Sequence, residues 1–309
     1  MKILQLDKNH PLISEQLSEK GFVIDEDHQS SYEEILKKIS DYDGIIIRSR
    51  IPLDRNFLEN SQNLKFIARV GAGMENIDEV AAKELGISLI NSPEGNRDSV
   101  AEHVVGMLLN LMHRIIISSE EVKIGIWKRE ENRGDEILEK TFGIIGYGNM
   151  GKAVAKRLSG FGCKVIFHDI LPNLGDEFAQ QVSLDVLKKE SDILSLHIPL
   201  TSETLNLIDE NFINQMEKEF YFVNTSRGKN VQTKDLVKAI ISGKVKGAAL
   251  DVLEFESSSF EKIDAENEDL QFLLSSEKVI VTPHIAGWTH QSKEKLAQVI
   301  VDKILEKYS

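Results

Sequence analysis

Cysteine is nearly missing from this 309-residue chain, and Cys163 is the only one. A lone cysteine excludes an internal disulfide and a cysteine cluster for metal, and no metal site is expected. Proline is scarce as well, with six, and no low-complexity tract or short repeat breaks the pattern. No apolar run approaches the roughly 20 residues that span a bilayer. The opening "MKILQLDK" meets charge too soon for a secretory signal, so a cytoplasmic protein with no membrane partner is expected. Positive charge is in deficit: 37 Lys and Arg face 50 Asp and Glu, a formal net charge of −13. Such a chain repels nucleic-acid phosphates, so no nucleic-acid partner is expected. A small anionic substrate needs only a local group of arginines.

What is present is an ordinary 41% hydrophobic content and a length that suits two domains. "KILQL", "GFVI", "GIIIRS", "LKFIARV" and "GISLIN" read as strands. Between them "PLISEQLSEK", "SYEEILKKIS" and "ENIDEVAAKEL" read as helices. This alternation implies an α/β fold with a parallel sheet covered on both faces. Residues 98–121 then form one long apolar helical pattern, which Asp98 or Ser99 can cap; it can join domains, form a dimer interface, or both. A second alternating series starts at Thr141. The amphipathic stretch 289–307 has no later element to pair with, so it is expected to pack on the first domain. The expected domains are 1–97 with 288–309, and 98–287 inserted between them, with ligand in a cleft.

In "FGIIGYGNMGKAV", Gly146, Gly148 and Gly151 sit where a strand gives way to a helix. Alone they could be a plain bend. A dinucleotide turn also needs an acid at the end of the next strand, and "CKVIFHD" ends at Asp169, 18 residues after Gly151. Gly146 permits the tight turn, Gly148 lets the backbone approach a pyrophosphate, and Gly151 lets helix and strand pack closely. Asp169 can accept from ribose hydroxyls and repels a 2′-phosphate. Ile170 follows it rather than an arginine, which favours NAD over NADP.

Three residues downstream follow strand-like runs. They are Arg227 after "VNTS", Glu256 after "ALDVLEF" and His284 after "VIVTP". Arginine can clamp a carboxylate and polarise the adjacent carbonyl. Histidine can exchange the hydroxyl proton as hydride moves, and a carboxylate beside it fixes its tautomer. Taken singly, each has a plainer reading: a surface salt bridge, a solvated acidic loop, a hinge hydrogen bond.

"VNTSRGK", "ALDVLEFES" and "TPHIAGWT", in this order after "GIIGYGNMG", resemble the signatures of the D-isomer-specific 2-hydroxyacid dehydrogenases. "RVGAGMENID", "NSPEGNRDSVAEHVVG" and "SLHIPLTSETLNLI" extend the resemblance over nearly the whole chain. The resemblance implies a Rossmann NAD-binding domain inserted into a flavodoxin-like substrate domain, both doubly wound, and a homodimer through helix 98–121. It implies Arg227 for substrate orientation, His284 as acid/base and Glu256 as its partner. Asp251 would approach the nicotinamide carboxamide, and the backbone of Ala72 and Gly73 would meet the substrate carboxylate. Further cofactor contacts are implied at Asn149, Met150, His197, Ile198 and Pro199, and at Thr204, Thr225, Ser226 and Gly287. One departure is Ser257, where the family usually has proline. It leaves Glu254 and Glu261 as rivals to Glu256, although the 29-residue spacing from Arg227 supports Glu256.

Within the family, "IIIRSRIPLD", "FIARVGAGMENID" and "NSPEGN" most resemble the D-3-phosphoglycerate dehydrogenase branch. That likeness implies oxidation of 3-phosphoglycerate to 3-phosphohydroxypyruvate, the first step of serine biosynthesis, and a phosphate group made by Arg48, Ser49 and Arg69. The plainer reading makes Arg48 and Arg50 a sheet-end salt bridge. Trp288 can close a substrate pocket or lie at a domain interface. No C-terminal regulatory domain is expected after Ser309. The alternatives are a glyoxylate, hydroxypyruvate or other 2-keto acid reductase and, from another class, a dinucleotide-sensing corepressor-like protein.

Overall fold

The computed structural model describes residues 1–256 and 267–309. They fall into two compact units, residues 1–97 with 288–309 and residues 98–287. In the first unit the strands are β1 (Lys2–Gln5), β2 (Val23–Glu26), β3 (Gly44–Ile47), β4 (Phe66–Arg69) and β5 (Ser88–Asn91). They lie in the order β2-β1-β3-β4-β5, all parallel. Alternate side chains point to opposite faces of a sheet, so these strands feed two cores. Leu4, Ile45, Ile47 and Ile67 enter one, while Ile3, Ile46, Phe66 and Ala68 enter the other. That double burial is why the strands read as unbroken apolar runs rather than alternating ones.

The last helix, His290–Tyr308, starts at an N-cap where Thr289 accepts from the Ser292 N–H. Its Ala297, Ile300, Val301 and Ile304 are wholly buried in the core that holds Ile3 and Phe66. Each large apolar side chain so buried contributes about 1.5–3 kcal/mol, so a charge at Ile300 would open this face.

The second unit holds β6 (Thr141–Ile145), β7 (Lys164–His168), β8 (Gln180–Gln181), β9 (Ile193–Leu196), β10 (Phe220–Asn224), β11 (Val245–Leu250) and β12 (Val279–Val281). Their order is β12-β11-β10-β9-β6-β7-β8. The chain builds outward from β6 to β8, then crosses back to start again at β9. This reversal is the switch point at which open α/β sheets hold ligands, beyond the carboxyl ends of the strands.

The helical pattern expected as a single element over 98–121 is two helices, Pro93–Met112 and Ile115–Lys123, bent by 60°. Arg114, with a left-handed φ of 54°, makes the break. The start also differs. Pro93 opens the first helix, where a missing N–H costs nothing, so Asp98 and Ser99 lie inside it. Asp98 instead takes Arg157 at 2.9 Å, and buried Ser99 donates to the Ala286 carbonyl at 2.6 Å. Val104, Leu108 and Leu111 of the first helix are core residues. The second helix buries none of its residues. No single helix among the described residues is long and apolar enough to cross a membrane.

Candidate active site

The turn after β6 is built from backbone. Gly146 has φ 91°, and a Cβ there would stand 2.5 Å from the His197 carbonyl oxygen. A Cβ on Gly151 would strike the Gly146 carbonyl, whereas one on Gly148 would meet nothing within 4 Å. Two glycines therefore allow close packing, and the third opens space at the start of helix Asn149–Leu158. The first N–H groups of a helix have no partner within it and favour an anion. Met150 packs against the core.

Asp169 follows β7. Its carboxylate accepts the Tyr147 N–H at 2.7 Å and the Leu171 N–H at 2.9 Å. The acid is thus fastened to the glycine turn itself. Tyr147 is buried, stacks on Phe167 at 3.7 Å and donates to Asp176 at 2.8 Å. Both burial and Asp176 raise its pKa, so the phenol keeps its proton.

Beyond β9, the His197 ring meets the Ser195 hydroxyl at 2.9 Å. Burial pushes its pKa down to about 3, so the imidazole is neutral. Ile198 packs against the core. Thr204 donates to the Pro199 carbonyl at 2.7 Å, and buried Asn230 donates to the Thr204 carbonyl at 3.0 Å. After β10, buried Asn224 accepts from the Ser226 N–H and hydroxyl at 3.0 and 2.8 Å, and donates to the Arg227 carbonyl at 3.0 Å. The Thr225 hydroxyl is buried with no hydrogen-bond partner among the described residues. A buried orphan of this kind costs energy unless a ligand satisfies it. Together with the open space at Gly148 and the acid at Asp169, it fits a dinucleotide.

The acid/base pair comes from two loops. His284 Nδ1 lies 2.8 Å from Glu256 Oε2, with both side chains largely shielded. The other Glu256 oxygen accepts the Leu253 N–H. A carboxylate held on both oxygens fixes the ring and leaves Nε2 as its working atom. Glu254 does not compete, because it accepts the Thr233 N–H at 3.0 Å. Glu261, like Ser257, lies outside the described residues.

His284 has a left-handed φ of 55°, and Asp251 holds it there. The Asp251 carbonyl accepts the His284 N–H at 2.9 Å. Its carboxylate, 1% exposed, accepts the Ile285 and Ala286 N–H groups, both at 2.8 Å, and the Thr282 hydroxyl at 2.6 Å. His103 reaches Thr282 at 3.0 Å. Asp251 thus shapes the histidine loop, a task that its place in the sequence motif did not disclose. Asn224, Asn230 and Thr282 were also missed. For Asn224 and Thr282 the only signal is a polar residue at or just beyond an apolar strand, and Asn230, in the short turn Gly228–Asn230, has none.

In the first unit, Arg48 follows β3, beside β1, at that sheet's own switch point. Its N–H donates to Asp7 at 2.6 Å, and its guanidinium carbon stands 4.2 Å from the Trp288 ring centre. Ser49 is the next residue. Arg50 is structural, because its guanidinium donates to the carbonyls of Leu6, Asp27 and Ser30. Arg69 ends β4, and its guanidinium occupies the space a Cβ of Gly71 would need. The Gly71 N–H donates to the Ser92 hydroxyl at 3.0 Å, and Asn91 donates to the Ala72 carbonyl at 2.8 Å. These bonds shape the loop that carries Ala72 and Gly73.

Against this geometry, a family model for the NAD binding domain of D-isomer specific 2-hydroxyacid dehydrogenases matches residues 105–286. A hydroxypyruvate reductase of Thermotoga maritima is 38% identical over 274 residues, covering 89% of this chain and 87% of that protein. A D-3-phosphoglycerate dehydrogenase of Archaeoglobus fulgidus is 33% identical over 99% of this chain but only 57% of its own length. Among solved structures, a glyoxylate reductase from Paecilomyes thermophila superposes with a TM-score of 0.87 at 27% identity, over 99% of this chain and 96% of that one.

Proposed function

The chain belongs to the D-isomer specific 2-hydroxyacid dehydrogenases, NAD-dependent oxidoreductases, and from that premise we propose that its substrate is 3-phosphoglycerate, oxidised to 3-phosphohydroxypyruvate. The observation that carries the chemistry is the 2.8 Å His284–Glu256 pair, on the same sheet as an Asp169-anchored glycine turn. The substrate reading rests on Arg48, with Ser49 beside it and Arg69 on the neighbouring strand, at the carboxyl ends of the first sheet.

NAD, held at the glycine turn and Asp169, would supply the hydride acceptor. Arg227 pairs with the substrate carboxylate through two parallel N–H bonds, which orients the carbinol carbon. His284 Nε2 takes the hydroxyl proton as the C–H electron pair departs and the C–O bond becomes a carbonyl. Glu256 stabilises the imidazolium that forms. In reduction the same proton returns from Nε2 to the new hydroxyl.

The second reading, a hydroxypyruvate or glyoxylate reductase, is favoured by the Thermotoga relative. The two keto acids hydroxypyruvate and 3-phosphohydroxypyruvate differ only by the phosphate, so kcat/KM for each with NADH decides. A preference of about tenfold or more for the phosphorylated acid, the worth of one charge-assisted bond, supports the first reading, and the reverse preference supports the second. No turnover on a broad panel of 2-hydroxy and 2-keto acids, glyoxylate included, with the dinucleotide bound, would favour a dinucleotide sensor.

The homodimer expected through 98–121 is proposed here on the exposed second part of that stretch, helix Ile115–Lys123. Ile115, Ile116 and Val122 are 48%, 47% and 50% exposed, and Ile124 and Trp127 beyond them 74% and 76%. Exposed apolar side chains this close in sequence are what a partner surface would bury. Light scattering should give twice the chain mass, and Ile116→Glu should reduce it to one.

A further inference from the structure

Tyr147 sits between Gly146 and Gly148, and no step of the chemistry uses its side chain. The ring is buried against Phe167 of β7, with the two planes 10° apart. Packing of that kind needs only apolar atoms, which phenylalanine would supply. The hydroxyl is an addition, and burying it costs free energy unless it is paired. Its partner is Asp176, 29 residues further on, at 2.8 Å. Asp176 belongs to the segment 170–179 between β7 and β8. The same Asp176 oxygen accepts the Phe178 and Ala179 N–H groups at 2.9 and 3.3 Å.

At the start of this segment Ile170 and Leu171 are 92% and 59% exposed, so hydrogen bonds rather than packing hold it there. Gln181 of β8 donates to the Leu171 carbonyl at 2.7 Å and accepts the Leu174 N–H at 3.0 Å. Leu171 in turn donates its N–H to Asp169 Oδ1, while the Tyr147 N–H goes to Asp169 Oδ2. The carboxylate is therefore gripped from two pieces of chain, the glycine turn and the segment, and the Tyr147 hydroxyl fastens those pieces to each other. A carboxylate has about four acceptor sites, so Asp169 keeps capacity for a ligand while its rotation is already restricted, which lowers the entropic cost of binding. We propose that Tyr147 is a positioning residue for cofactor choice: its bond to Asp176 holds the segment 170–179 so that Asp169 stays where it accepts ribose hydroxyls and repels a 2′-phosphate. This rests on the ribose reading of Asp169 and adds to it what keeps that acid in place.

The test titrates NADH and NADPH into the full chain without substrate, followed by nicotinamide fluorescence, so binding is read apart from turnover. Tyr147→Phe keeps the stacked ring and removes only the hydroxyl. Its Kd for NADH should rise about fivefold, the worth of one buried hydrogen bond. Its Kd for NADPH, which gains nothing from the acid, should hardly change, so the preference for NADH narrows. Asp176→Ala should match Tyr147→Phe, and the double variant should be no worse than either, because both remove the same bond. Asp176→Asn, which keeps an accepting oxygen, should retain most of the preference. Equal weakening of both dinucleotides would mark the hydroxyl as serving the fold alone and overturn the proposal. If Asp169→Ala narrows the preference and Tyr147→Phe does not, the ribose reading survives and the positioning role falls. If neither variant moves the preference, both fall.

Discussion

The two parallel sheets end in two different kinds of site. At the carboxyl end of the second sheet, polar groups are committed to one another. Asp251 holds three consecutive residues of the histidine loop, and Glu256 is bound on both oxygens. At the carboxyl end of the first sheet, the candidate groups are the tips of long side chains, Arg48 laid on a ring and Arg69 laid over a glycine. The first kind is built from backbone and short side chains, so its geometry is set before any ligand arrives. The second can be retuned by one substitution without disturbing the sheet. On the proposed reading, chemistry shared by many substrates belongs to the first kind, and choice among substrates to the second.

Four measurements can break or sharpen this contrast. His284→Asn keeps a residue that tolerates the left-handed backbone and removes the proton carrier. Turnover should fall about 10²–10⁴-fold while NADH binding, followed by fluorescence, persists; loss of both would show that the loop is scaffold rather than catalyst. Glu256→Gln, which keeps the shape of the side chain and removes its charge, should lower kcat by about tenfold. An unchanged kcat would dissolve the pair.

Asp169→Ala should weaken NAD by about tenfold and narrow its lead over NADP; unchanged selectivity, measured by cofactor titration, would remove Asp169 from the ribose. The smallest effect concerns stability. His197 is held neutral, its pKa pushed down to about 3 from 6.5, so between those values the unfolded chain binds a proton that the native one refuses. Stability therefore falls as pH drops through that window. In His197→Asn the loss between pH 7 and pH 5 should be about 1–2 kcal/mol smaller, as urea unfolding at the two pH values would show.

Most of the candidate site was legible in the sequence because it sits in short contiguous stretches. The glycine turn needs three glycines at fixed spacing, and Asp169, Arg227 and His284 each end an apolar run. What was hidden depends on residues far apart in the chain or on conformations without a letter of their own. Arg114 breaks a helix in the left-handed region, yet the apolar pattern runs straight through it. Asp251 reads as the polar end of a strand, and only the fold shows it holding residues 284–286. Trp288 and Arg48 are 240 positions apart, and no periodicity links them. The start at Pro93 could have been found, since serine followed by proline is a helix-opening pair.

The left-handed backbone of His284 separates two pressures that usually coincide. Asparagine and glycine occupy that conformation more comfortably than other residues. A library of variants sorted only for folded protein would therefore enrich those two at position 284. The same library sorted for growth on the reaction would return histidine. The residue frequencies at this one position would report which demand the population had been under.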